Sequence, residues 1–102
     1  MGLERFALTD RVAIVTGASQ GLGEAIALAM AEAGAHVVIA SRNVENLQRV
    51  AKEIEKLGRK SLVVPTDVTV TSQVENMVSK TVDEFGRTDI LVNNAGGIGV
   101  GA

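Results

Sequence analysis

Apolar residues along the chain fall into two alternating kinds of pattern. Val12-Ala13-Ile14-Val15, His36 to Ala40, Ser61 to Pro65 and Asp89 to Val92 are short runs rich in β-branched residues. They read as strands buried on both faces, with Pro65 at a strand end, where its missing N–H costs least. Between them lie longer stretches with helical spacing. Leu22 to Ala33 is Ala, Leu, Ile, Met and Glu, apolar nearly all round, and it runs into Gly34. This predicts a buried helix closed by a left-handed glycine. Asn43 is a plausible N-cap for a second helix carrying Val44, Leu47, Val50, Ala51, Ile54 and Leu57 on one face and ending at Gly58. A third begins near Val70, presents Val74, Met77, Val78, Thr81, Val82 and Phe85, and ends at Gly86. Strands alternating with amphipathic helices over short loops imply right-handed crossovers, so the expected class is α/β: a parallel sheet with helices on both faces.

Composition narrows the function. The 102 residues allow one modest core and no second domain. Net charge is −2 with acidic and basic residues interspersed, and aromatics are 2%, so the chain offers neither a basic stripe nor a stacking platform for nucleic acid. Cysteine is absent, which removes disulfides, thiolate metal sites and cysteine nucleophiles. No apolar run is long enough to span a bilayer, and Met1 to Phe6 has no signal-peptide pattern; the expectation is a cytoplasmic protein without a membrane partner. The sole histidine, His36, opens the second strand and so sits at the edge of the sheet away from any crevice at the strand C-termini, a structural place. Glu4, Asp10, Glu24 and the charges from Arg49 to Lys60 read as solvated faces, and no spacing suggests a metal site.

Chemistry concentrates in Thr16-Gly17-Ala18-Ser19-Gln20-Gly21-Leu22-Gly23, between the first strand and the first helix. Glycines there permit positive φ and close backbone approach, and unpaired N–H groups at a helix start attract an anionic diphosphate. The spacing G-x-x-x-G-x-G is neither the G-x-G-x-x-G of a dinucleotide fingerprint nor a Walker A loop, which would need glycine and lysine where Leu22 and Gly23 stand. A tight turn without a ligand is the alternative for the cluster alone.

Together with Asn93-Asn94-Ala95-Gly96 after the fourth strand and Asp67-Val68 after the third, this turn resembles the classical short-chain dehydrogenase/reductase family, from about Phe6 to Gly96. The resemblance implies a Rossmann-like sheet of order 3-2-1-4, with residues 1–96 the N-terminal part of a dinucleotide-binding domain; 97–102, glycine-rich with no capping or periodic signal, reads as a mobile tail. The resemblance also implies that Gly17, Ser19, Gln20, Gly21, Leu22 and Gly23 surround the diphosphate and adjacent ribose. Asp67 would meet the adenine amino group with Val68 beside the ring, and Asn94, Ala95 and Gly96 would pass under the nicotinamide ribose. Asn93 reads instead as locking a strand by a hydrogen bond. At the end of the second strand stand Ser41 and Arg42. A guanidinium forks onto a 2′-phosphate that a carboxylate would repel, so NADP(H) is favoured and NAD less so, with Gln20 where the family often adds a second basic residue.

The family's proton-donating tyrosine, its lysine and its serine lie beyond the fourth strand, and this chain has no tyrosine. The resemblance therefore implies the NADP(H)-binding portion of an oxidoreductase interconverting a carbonyl and a secondary alcohol. No catalytic residue is present, and a small carbonyl or alcohol substrate is engaged only when the other half is supplied. The alternative is a noncatalytic nucleotide-binding or assembly module that self-associates through the open edge of Ile90-Leu91-Val92.

Overall fold

The computed structural model describes residues 7–94. Four strands, β1 (Val12–Thr16), β2 (His36–Ser41), β3 (Ser61–Pro65) and β4 (Ile90–Val92), alternate with α1 (Gly21–Glu32), α2 (Val44–Lys56) and α3 (Thr71–Phe85). All neighbouring strands are parallel, in the order β3-β2-β1-β4. The chain reverses its direction of growth at β1, and such a switch point opens a crevice at the strand C-termini.

Side-chain alternation divides the core into two layers. Ala13, Val15, Val37 and Ile39 meet Ala27 and Ala31 of α1 and Leu47, Val50 and Ile54 of α2 on one face. Val12, Ile14, Val38, Ala40 and Val64 meet Met77 of α3 on the other. Because both faces are covered, the central strands have no polar side, which is why they appear as continuous apolar runs.

Two helices are less buried than their sequences suggest. In α1 only Gly23, Ala27 and Ala31 are buried, and Leu22 is 60% exposed. The small residues bring the helix onto the sheet and α2 lies along one side; Ile26, Leu28 and Met30 are half-buried against the same core, and among the described residues nothing covers Leu22. In α3, Met77 and Thr81 are buried while Val78 and Val82 stay exposed on the outer flank. Leu57, expected on the buried face of α2, is also exposed: it lies past the last helical residue, where the chain turns through Gly58 with φ 82°. The predicted left-handed stop at Gly86 is present, with φ 76°.

His36 occupies its expected structural place at the far edge of the sheet from the crevice. Its Nδ1 accepts from the Lys60 N–H at 3.0 Å, and its ring stacks on Phe85 with centroids 5.8 Å apart.

Edge strand β4 is fastened to β1 by Asp89. Its N–H donates to the Val12 carbonyl at 2.9 Å, and its carboxylate accepts from the Val12 N–H at 2.8 Å. The Arg87 guanidinium, 2.8 Å away, and that backbone bond hold the Asp89 carboxyl below the usual carboxylate range. A depressed folded value stabilises the fold fully above the unfolded value of about 3.9, and the contribution disappears as pH falls through the folded value. Thermal unfolding between neutral pH and pH 3 should therefore show the native chain losing stability more steeply than Asp89→Asn, the two converging in acid. Parallel curves would remove Asp89 from this role.

Candidate dinucleotide site

A cleft of about 540 Å³ lies across the C-terminal ends of all four strands. Gly17, Ser19 and Gln20 line it after β1, Ser41, Arg42 and Asn43 after β2, Thr66 to Thr69 after β3, and Asn94 after β4. Four separate loops thus converge on one crevice, of a volume that suits a small organic ligand.

The turn after β1 is built around three glycines with two different tasks. Gly17 and Gly21 have φ of 64° and 58°, the left-handed conformation that side chains resist. Gly23 needs no special φ; a Cβ on it would lie 1.9 Å from the Gly17 carbonyl oxygen and 2.8 Å from Asn94 Nδ2. Its missing side chain is what lets α1 descend onto the end of β1. Gly21, Leu22 and Gly23 are set back and do not line the cleft.

The start of α1 is uncapped. Gln20 occupies the N-cap position without a side-chain bond, and the N–H groups of Gly21, Leu22 and Gly23 have no acceptor among the described residues. By contrast α2 caps itself, Asn43 Oδ1 accepting from the Asn46 N–H at 3.1 Å. Unpaired first-turn amides beside an open cleft fit an anionic group, which both accepts their hydrogen bonds and is favoured by the helix dipole. A diphosphate therefore fits the residues present.

Thr16 closes the crevice floor. Its buried hydroxyl accepts from the Asn94 N–H at 3.0 Å and lies 3.2 Å from Asn93 Oδ1. Asn94 Nδ2 donates to the Gly17 carbonyl at 3.3 Å. Asn93 thus makes the strand-locking contact expected of it, whereas Asn94 both lines the cleft and braces the turn. Ala95 and Gly96, the tail 97–102 and Glu4 lie outside the described residues.

On the opposite side of the cleft, Asp67 folds its carboxylate into a local turn. Oδ1 accepts from the Thr69 hydroxyl at 2.6 Å and the Thr69 N–H at 2.9 Å. These bonds, with a smaller contribution from the positive charge of Arg42, hold its carboxyl below the ordinary range. Asp67 is accordingly an ionised acceptor at neutral pH, able to receive a hydrogen bond from an amino group. Ser41 Oγ accepts from the Asn43 N–H at 3.0 Å, which shapes the loop carrying Arg42.

The profile of the short chain dehydrogenase family matches residues 11–102. The chain belongs to that family. It is 45% identical over 97 residues to an uncharacterized oxidoreductase of Mycobacterium tuberculosis, covering 95% of this chain and 37% of that protein. The crystal structure of L-sorbose reductase from Gluconobacter frateurii, complexed with NADPH and L-sorbose, superposes with a TM-score of 0.85 at 40% identity, over 91% of this chain and 36% of that one. Hydroxysteroid dehydrogenase from Escherichia coli gives a TM-score of 0.86 at 36% identity, over 92% and 40%. The short-chain dehydrogenase chain described here therefore spans under two-fifths of the length of the curated relatives it matches, 37% and 38% for the mycobacterial and a staphylococcal protein.

Asn43, Thr66 and Thr69 line the cleft and were not expected there from the residues alone, and Thr16, which opens the turn motif, braces it in a role the motif did not give. Thr16 had a signal: a hydroxyl closing an otherwise apolar buried run must find a partner. Arg49 and Glu24, expected on solvated faces, are exposed and half-buried respectively, and there they form a forked pair beside the glycine turn, at 2.9 and 3.0 Å. Among the described residues no group of His, Asp and Glu is placed to hold a metal, and no helix is long and apolar enough to cross a membrane.

Proposed function

We propose that this chain is the NADP(H)-binding portion of an oxidoreductase that interconverts a carbonyl and a secondary alcohol by hydride transfer. The observation that carries the proposal is that Gln20, at the uncapped start of α1, and Arg42, at the end of β2, line one and the same cleft. The turn from Gly17 to Gly23 holds the diphosphate, with Ser19 and Gln20 at its surface. Ser41 and Arg42 hold a 2′-phosphate, Arg42 by a two-pronged contact that a lysine does not reproduce. Asp67 receives the adenine amino group beside Val68, and Asn94 supports the ribose at the far end together with Ala95 and Gly96.

When bound, the nicotinamide ring supplies or accepts the hydride. The chain's own residues orient that cofactor and do not move the substrate proton, for there is no tyrosine phenol in the sequence. Reduction of a small carbonyl substrate accordingly draws on the Ser, Tyr and Lys that the family carries beyond the fourth strand. The NADPH complex of the sorbose reductase relative supports the choice of cofactor. Titration calorimetry of the 102-residue chain tests the reading: NADPH should bind and NADH more weakly, while no heat with either dinucleotide on folded protein would overturn it.

A second reading draws on the outer edge of β4, where Leu91 is 56% exposed and no strand pairs among the described residues. Open edges template pairing. Under this reading the chain is a nucleotide-binding or assembly module that self-associates through β4. Sedimentation velocity should then show a dimer that Leu91→Lys dissociates, and a monomer at all concentrations would remove it.

A further inference from the structure

Arg49 projects from the middle of α2, yet its guanidinium reaches the glycine turn. Its Nη1 and Nη2 donate to the two carboxylate oxygens of Glu24 at 3.0 and 2.9 Å, and Nη2 also lies 3.4 Å from the Ser19 carbonyl oxygen. The fork lowers the Glu24 carboxyl and raises the Arg49 guanidinium relative to their ordinary values. Glu24 belongs to the first turn of α1, and Ser19 to the turn that precedes it. One side chain of α2 therefore grips both sides of the segment that faces the cleft.

We infer that Arg49 is a positioning residue for the diphosphate, an inference that rests on the dinucleotide reading above. The Ser19 carbonyl and the Gln20 N–H belong to one trans peptide, so they point in opposite directions. Holding the carbonyl toward α2 turns the Gln20 N–H toward the cleft that Ser19 and Gln20 line. That N–H has no acceptor among the described residues, which leaves it to donate to a phosphate oxygen. Anchoring by Glu24 fixes the guanidinium plane, so the carbonyl contact needs little further ordering. A lysine at this position places its single charge on Glu24 and leaves the Ser19 carbonyl unheld.

This role predicts a selective effect. The turn contacts the diphosphate, whereas Ser41, Arg42 and Asp67, on other loops, contact the adenosine 2′-phosphate end. Calorimetry of the full chain with NADPH and with adenosine 2′-monophosphate separates the two. Arg49→Gln and Arg49→Lys should each weaken NADPH by roughly three- to tenfold, the loss expected when one ordinary hydrogen bond to the phosphate is misaligned. Adenosine 2′-monophosphate, which lacks the diphosphate, should keep its affinity within about twofold, and melting temperature should fall by only a few degrees. Unchanged NADPH affinity in both variants overturns the inference while leaving the dinucleotide reading intact, and so does an equal loss for both ligands, which marks a general charge effect. Failure of the unsubstituted chain to bind NADPH overturns the dinucleotide reading itself and this inference with it.

Discussion

Gly23→Ala should lower the melting temperature by roughly 10–20 °C and abolish measurable dinucleotide binding. The added Cβ would sit 1.9 Å from the Gly17 carbonyl oxygen and 2.6 Å from its carbonyl carbon. Both obstacles are backbone, so no side-chain rotation relieves them. Either α1 lifts from the sheet or the turn shifts, and each displaces the amides that face the cleft. Overpacking of this kind costs about 3 kcal/mol or more, a large part of the stability of a domain this size. Gly21→Ala is the informative contrast. Its Cβ meets nothing within 4 Å, and the penalty is confined to a φ of 58°, about 1–2 kcal/mol for a single residue. The order of the two melting temperatures checks the argument directly: a Gly23→Ala chain as stable as Gly21→Ala, or one binding NADPH like the unsubstituted protein, would show that helix approach does not set the turn.

Arg42→Asp should reverse cofactor preference. The substitution removes a charge-assisted contact to the 2′-phosphate, worth about 1.5–3 kcal/mol, and puts a carboxylate in its place. NADPH affinity is expected to fall by roughly tenfold to over a hundredfold. NADH should hold its affinity or gain, because a carboxylate at the end of β2 accepts from ribose hydroxyls. Arg42 also contributes to the low carboxyl value of Asp67, so the new carboxylate faces a second one across the cleft. Arg42→Ala separates lost attraction from added repulsion, and its NADPH affinity should lie between those of the other two proteins. An unchanged ratio of NADPH to NADH affinity in Arg42→Asp would remove this residue from cofactor selection.

The sheet was legible in the sequence because burial on both faces leaves unmistakable β-branched runs between amphipathic helices. The strand order came from the family resemblance, since nothing in the periodicity of Ile90-Leu91-Val92 says that it joins β1 rather than β3. Burial of α1 and the exposed flank of α3 were misjudged for one reason: apolar composition reports what a helix can bury, and Leu22, Val78 and Val82 have no covering element among the described residues. Of the residues given by motif, Gly17, Ser19, Gln20, Asp67, Val68 and Asn94 line the cleft, as do Ser41 and Arg42 from their place after β2, whereas Gly21, Leu22 and Gly23 stand back from it. Arg49 was not readable, because its partners Glu24 and Ser19 lie 25 and 30 residues away and only the packing of α2 beside α1 brings them together.

The three-residue ladder of β4 makes it the shortest strand among the described residues and an edge of their sheet, with Asn94 two residues beyond it. Short peripheral segments open first in native-state fluctuations. A ligand reaching from the glycine turn to Asn94 would bind only while that segment is closed, so occupancy should slow amide exchange at Leu91 and Val92 more than at Val38 and Ile39 in the sheet interior. Tightness of binding and local opening of the last strand are then two readings of one equilibrium.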